Sequence, residues 1–157
     1  MAPDAFFMAA ALAEARRGIA RGDGGPFGVV IANKAGKILA KAHNTVLHSN
    51  NPTHHAEINA ISQAAKKLSS FDLCNCTIYA TCRPCMMCSG AIIWARIGRI
   101  VYGANSADAK KLGFREPSIS DAQIRQLAKV QITSGVLRSE CISLMAAWAQ
   151  SPKKRLY

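Results

Sequence analysis

The chain has 157 residues, 50% of them hydrophobic and 18% charged, with 20 lysines and arginines against nine acids for a net charge of +11. That balance excludes a disordered polar chain, and no run reaches the roughly 18 apolar residues that a membrane span needs. A chain of this length buries about 70% of its unfolded surface, enough for a core without disulfide staples.

Residues 4–20 read as an amphipathic helix that ends at the breaker cluster Gly22-Asp23-Gly24-Gly25-Pro26. Phe6 to Ala13 is apolar enough to suggest a signal peptide. Asp4, however, stands where a positive segment should be, and Glu14-Ala15-Arg16-Arg17 continues the helical pattern. A surface helix of a soluble, cytoplasmic protein is the expectation.

Val29 to Ala32 and Lys37 to Ala42 flank the turn Asn33-Lys34-Ala35-Gly36 and predict a strand hairpin. After the loop Ser49-Asn50-Asn51-Pro52, Thr53 is placed to cap a helix running to about Leu68. Thr77 to Ala80 predicts a buried strand, and Pro84 suits the first position of a helix reaching about Arg96.

Arg99 to Gly103 is a further short strand, followed by helical or loop segments to Lys129. Val130 to Val136 predicts a last strand, and Ser139 to Gln150 an amphipathic helix. There are no internal repeats or linkers, so one domain over residues 1–157 is expected. The order predicts a three-layer α/β/α sandwich around a mixed five-stranded sheet, the first two strands as a hairpin and the later ones joined by parallel crossovers.

Six cysteines without an export signal favour metal binding or buried thiols over disulfides. Five of them (Cys74, Cys76, Cys82, Cys85 and Cys88) fall within fifteen residues. Cys85 and Cys88 are three apart, which puts both sulfurs on one helix face. Free N–H groups and the positive dipole end at a helix start favour the thiolates a metal needs.

His55 would be a third ligand, leaving the fourth tetrahedral position to water, as in catalytic rather than structural zinc sites. Zinc brings the pKa of such a water from about 16 toward about 7. Glu57, two residues on and about 200° around the helix from His55, would stand beside the metal and move protons.

The competing pattern is a closed zinc knot using Cys82, Cys85 and Cys88 with Cys76 or His54. Cys74, Cys76 and Cys141 read as small core residues. His43, His48 and His54 read as surface or hydrogen-bonded histidines.

His55-Ala56-Glu57 followed by Pro84-Cys85-Met86-Met87-Cys88 carries the signature of zinc-dependent base deaminases. On these motifs the chain resembles the cytidine/deoxycytidylate deaminase superfamily, and within it the small bacterial guanine deaminases. Gly24-Gly25-Pro26-Phe27-Gly28, Asn44, Asn51-Pro52-Thr53-His54-His55, Trp94-Ala95-Arg96, Gly113-Phe114-Arg115-Glu116 and the tail ending in Tyr157 carry the likeness.

The resemblance implies the cytidine deaminase-like fold and zinc on His55, Cys85 and Cys88. It implies proton transfer by Glu57 with help from Glu116, and a substrate pocket formed by Asn44, Phe27, Ala56, Trp94 and Tyr157. The implied reaction turns guanine into xanthine and ammonia. A homodimer is also implied, with the C-terminal tail closing the partner's site. The chain departs from the family at Arg83, usually glutamate, at Asn51, usually aspartate, and at Glu116, one methylene longer than the usual aspartate.

Asn44 read by itself fits either a lactam edge, as donor and acceptor, or a turn after a strand. The tRNA adenosine deaminases resemble the chain as well, through Arg96 to Gly103 and Ser134 to Cys141, and cytosine or another amino-azine is a further possible substrate. The basic residues come in ones and twos, with Lys153-Lys154-Arg155 the longest run. They read as a solvated surface or, alternatively, as a nucleic-acid contact.

Overall fold

A computed structural model describes residues 3–115 and 117–157. Five strands form one sheet in the order β2-β1-β3-β4-β5, built from β1 (Gly28–Asn33), β2 (Ile38–His43), β3 (Cys76–Cys82), β4 (Arg99–Ala104) and β5 (Gln131–Ser134). β1 pairs antiparallel with both β2 and β3, whereas β3–β4 and β4–β5 are parallel. The hairpin and the parallel crossovers are those the sequence predicts.

Helix α1 (Pro3–Arg21) and helix α7 (Arg138–Ala149) cover one face of the sheet, and α3 (Ala56–Leu68) with α4 (Met86–Trp94) the other. This is the three-layer α/β/α sandwich. Shorter helices α2 (Val46–Ser49), α5 (Ser106–Lys111) and α6 (Asp121–Leu127) fill the connections.

Val29, Val30, Ile31 and Ala32 are all buried, as are Ile78, Tyr79 and Ala80. Continuous burial is what a strand covered on both faces requires. β5, at the edge, is exposed at both ends.

Arg99 on β4 clamps Asp4 of α1 with two bonds of 2.8 and 2.7 Å and also reaches Thr133 Oγ1 at 3.0 Å. One guanidinium thus ties the first turn of α1 to two strands. Among the described residues no helix is long and apolar enough to cross a membrane.

The pairing fixes where chemistry gathers. Because β1 is antiparallel to both neighbours, β2 and β3 run the same way and end at the same edge. Gly28 pairs with His43 and donates its N–H to Thr81 Oγ1 at 3.1 Å. The helices that follow β2 and β3 therefore begin side by side, at the edge where parallel α/β strands carry their ligands.

Candidate active site

Two helix starts meet at that edge. His55 is the N-cap of α3 and Cys85 the N-cap of α4, both with extended backbone and neither making a side-chain capping bond. Their side chains turn toward each other instead. Thr53, expected as the cap, instead donates its hydroxyl to Asn51 Oδ1 at 2.7 Å and its N–H to the same atom at 2.9 Å.

Asn51 serves the turn as an aspartate would, and its amide nitrogen adds a contact to His54 Nε2 at 3.0 Å. Pro84 likewise falls one residue before the cap and not at the first helical position.

His55 Nδ1 lies 3.6 Å from Cys85 Sγ and 3.5 Å from Cys88 Sγ. All three donor atoms lie within 4.8 Å of one another. Among the described residues this is the one group of histidine, cysteine or acid donors close enough to hold a metal ion. Cys82, needed for a closed knot, turns its sulfur toward the Asn105 carbonyl at 3.6 Å and does not join the group. Cys76 and Cys141 are buried as expected, but Cys74 is exposed because its loop turns it away from the core.

The donor set suits a divalent cation. A hydrogen bond from Cys88 lowers the Cys85 thiol to about 4 against the cost of burial, with His55 assisting. The same bond, burial and the Glu57 charge push Cys88 the other way. Two sulfurs so close resist joint ionisation, and a cation between them removes that conflict. A soft and borderline N/S₂ set of this kind fits zinc.

Glu57 is 7% exposed, on the first turn of α3. Burial raises its carboxyl above the ordinary range, opposed by the charge of His55. A cleft of about 10 Å³ lies among Phe27, Asn44, His55, Glu57 and Thr81, room for about one water.

Asn44 is fully buried. Its Oδ1 accepts the N–H of Val46 at 3.1 Å and that of Gly25 at 3.4 Å, whereas its Nδ2 has no hydrogen-bond partner. Two backbone donors settle which way the amide faces. The residue is thus a turn former and a candidate ligand group at once, but it offers the cleft a donor alone and not the donor–acceptor pair the sequence suggests.

Outside the cleft a cavity of about 290 Å³ is lined by Pro52, His55, Cys85, Phe114, Arg115 and Tyr157. Phe114 stacks on Trp148 at 5.2 Å and meets Phe27 and Tyr157 edge-on at 5.0 and 5.5 Å. Tyr157 accepts the Gly25 N–H at 3.3 Å. The tail that was expected to close a partner's site lies here over the site of its own chain.

Arg83 helps to shape this mouth. It pairs with Asp121 at 2.7 Å and donates to the Ile119 carbonyl at 2.5 Å, while Met86 N–H donates to Pro117 at 2.8 Å. Pro117, Ile119 and Asp121 are thereby strapped to the start of α4.

Of the remaining expected residues, Ala56 is fully buried as the first residue of α3. Trp94 is 86% exposed and lines a surface groove with Phe71, Ile93 and Arg96. It ends α4, nine residues beyond Cys85, and a helix rise of 1.5 Å per residue puts it about 13 Å along the axis from the site. The structure does not bring it to the cleft of its own chain. Glu116 lies outside the described residues. Thr81 is not singled out from sequence, because nothing in a buried threonine marks it as part of a site, and Phe114 enters only within the Gly113-Phe114-Arg115-Glu116 likeness, without a site role.

A family model for the cytidine and deoxycytidylate deaminase zinc-binding region matches residues 1–104. A guanine deaminase of Bacillus subtilis (strain 168) is 39% identical over 96% of this chain and 97% of its own length. A tRNA-specific adenosine deaminase of Haemophilus influenzae is 34% identical over 82% of this chain and 73% of its own. Among solved structures, a guanine deaminase from Nitrosomonas europaea superposes with a TM-score of 0.88 at 29% identity, covering 94% of this chain and 85% of that one.

Proposed function

Since the chain belongs to the cytidine and deoxycytidylate deaminase zinc-binding family, we propose that it is a single-domain hydrolase converting guanine and water into xanthine and ammonia. His55, Cys85 and Cys88 would hold one zinc ion. When bound, the ion supplies Lewis acidity that makes water nucleophilic at neutral pH.

Glu57 does the proton work. Its carboxylate takes a proton from the attacking water and gives it to the ring nitrogen beside the carbon attacked. It then takes the second proton from the added hydroxyl and gives it to the amine, which leaves as ammonia as the C–N bond breaks and the new carbonyl forms. Burial that raises the carboxyl suits a group that must both accept and return a proton. Asn44 donates from Nδ2 to an acceptor on the purine edge, and Phe27 and Phe114 together give the ring an apolar wall.

The observation that carries guanine over a larger substrate is Tyr157, seated across the mouth on Gly25 and Phe114. A free base can be enclosed under such a cover, and enclosure excludes water. A base carried in a tRNA loop needs that mouth open. The basic surface and the tRNA-specific relatives support adenosine in tRNA as the second reading.

Ammonia release from guanine, cytosine, adenine and adenosine, beside inosine formation in a tRNA anticodon loop, separates them. Guanine turnover without inosine is expected, and inosine without guanine turnover overturns the assignment.

A further inference from the structure

His43 closes β2 directly before Asn44, and its imidazole is almost wholly buried. Nδ1 lies 2.8 Å from Glu14 Oε1 on α1, and Nε2 lies 2.8 Å from Asp23 Oδ2 in the loop after α1. Each ring nitrogen thus faces one carboxylate oxygen at hydrogen-bonding distance. Arg17 stands 3.5 Å from Glu14, and Arg21 and His48 stand 3.1 and 3.7 Å from Asp23, on the outer side of the two acids.

The surroundings are shaped to the ring. Gly18 of α1 has no Cβ where one would come within 2.5 Å of His43 Cδ2. A glycine inside a helix weakens that helix, and here its lack of a side chain makes room for the imidazole.

What the ring joins is the frame of Asn44. Asp23, held by Nε2, also accepts the N–H groups of Leu47 and His48 at its carbonyl, at 3.1 and 3.0 Å. The same loop continues to Gly25, whose N–H reaches Asn44 Oδ1. On the other side, the His43 carbonyl accepts from Asn59 of α3 at 3.0 Å. The backbone donors that fix Asn44 Oδ1, and so aim Nδ2, lie on two segments that His43 bolts together.

We propose that His43, bridged to Glu14 and Asp23, is a positioning residue that sets the direction of the Asn44 amide and through it the affinity for the purine edge. The inference rests on Asn44 being the edge-reading group of the proposed deaminase.

The test is a double-mutant cycle on the zinc-loaded enzyme with guanine. His43→Phe keeps the ring's bulk and removes both bonds. It should raise KM about tenfold with kcat little changed, the pattern of lost uniform binding. In an Asn44→Ala background the same change should add almost nothing, because both variants lose one contact. Gly18→Ala reaches the ring without touching a polar group and favours the helix itself. It should raise KM in the same sense and be equally silent beside Asn44→Ala, which keeps the inference testable if His43→Phe does not fold.

Additive effects, or a fall in kcat with KM unmoved, would reduce His43 to a stabilising residue and overturn the positioning role alone. An Asn44→Ala enzyme with unchanged KM would instead show that Asn44 reads no edge, and both inferences would fall together.

Discussion

Lys153 donates from Nζ to the carbonyl oxygen of Ala20 at 2.6 Å, so the root of the C-terminal tail is fastened to the last turn of α1. Leu156 packs over Gly113, and Tyr157 ends on Gly25 and Phe114. Tyr157→Ala should therefore reproduce most of the loss of guanine turnover caused by deleting residues 152–157. Lys153→Ala should raise KM more mildly. Steady-state kinetics on the three variants check this, and full activity in the deletion would remove the tail from the mechanism.

Glu57→Gln keeps shape but cannot ferry a proton. Turnover should fall by about 10²–10⁴-fold or more, while zinc content and purine binding persist. The measurement is single-turnover kinetics beside metal analysis, and a near-normal rate would assign proton transfer to another group.

Asn44→Ala removes the unpartnered donor and the acceptor of the Val46 N–H, while the Gly25 N–H keeps its bond to Tyr157. Guanine affinity should drop by about 1–3 kcal/mol, roughly 5- to 150-fold in KM. A small azine that presents no acceptor at that edge should be affected less, as competition assays with the two ligands would show.

Chelation should remove one zinc per chain, abolish activity and expose Cys85 and Cys88 to alkylation, with activity restored by added zinc. Cys141, pushed up to about 12 by burial, should stay unlabelled throughout because its thiolate is scarce. Mass mapping of the modified peptides decides it, and zinc content below one ion with full activity would contradict the ligand assignment.

Arg99 holds the Asp4 carboxyl below its ordinary value, mainly by the direct hydrogen bonds and further by its charge. A lowered folded pKa stabilises above the unfolded value. The contribution therefore fades as pH falls below about 3.8 and is gone below the lowered folded value. Asp4→Asn should cost about 1 kcal/mol at neutral pH and nothing once both proteins are strongly acidified. Urea unfolding at the two pH values gives the comparison.

The strands were legible because burial and alternation act locally: Val29 to Ala32 and Thr77 to Ala80 need only their own side chains to be recognised. The His55, Cys85 and Cys88 cluster was legible because helix-start spacing encodes it. Caps were less so. Thr53 looks like an N-cap, but Asn51 two residues earlier captures it, and the helix begins at His55 instead.

Trp94 lies apart from the site of its own chain because a sequence neighbour of the second motif need not be near it in space when eight helical residues intervene. Nothing local signals that His43 would find Glu14 and Asp23, since the pairing depends on α1 crossing β2. The facing of the Asn44 amide is of the same kind, set by N–H groups at Val46 and Gly25 that only the folded chain assembles.

That fixed facing has a consequence for redesign. An asparagine free to turn over would greet a carbonyl or an amino group equally well, and its host would be tolerant. Here a half-turn of the amide would set NH₂ against two backbone N–H groups, so the pocket has a handedness in hydrogen bonding that no rotamer change can reverse. A version of this enzyme for a ring bearing N–H at that edge would need a new side chain at position 44. Aspartate would keep the backbone bonds while adding a second oxygen, at the cost of a negative charge in the cleft that Glu57 also lines. On the proposed role of Asn44, substrate range in this scaffold is written partly in the turn from Asn44 to Val46, outside the metal motifs.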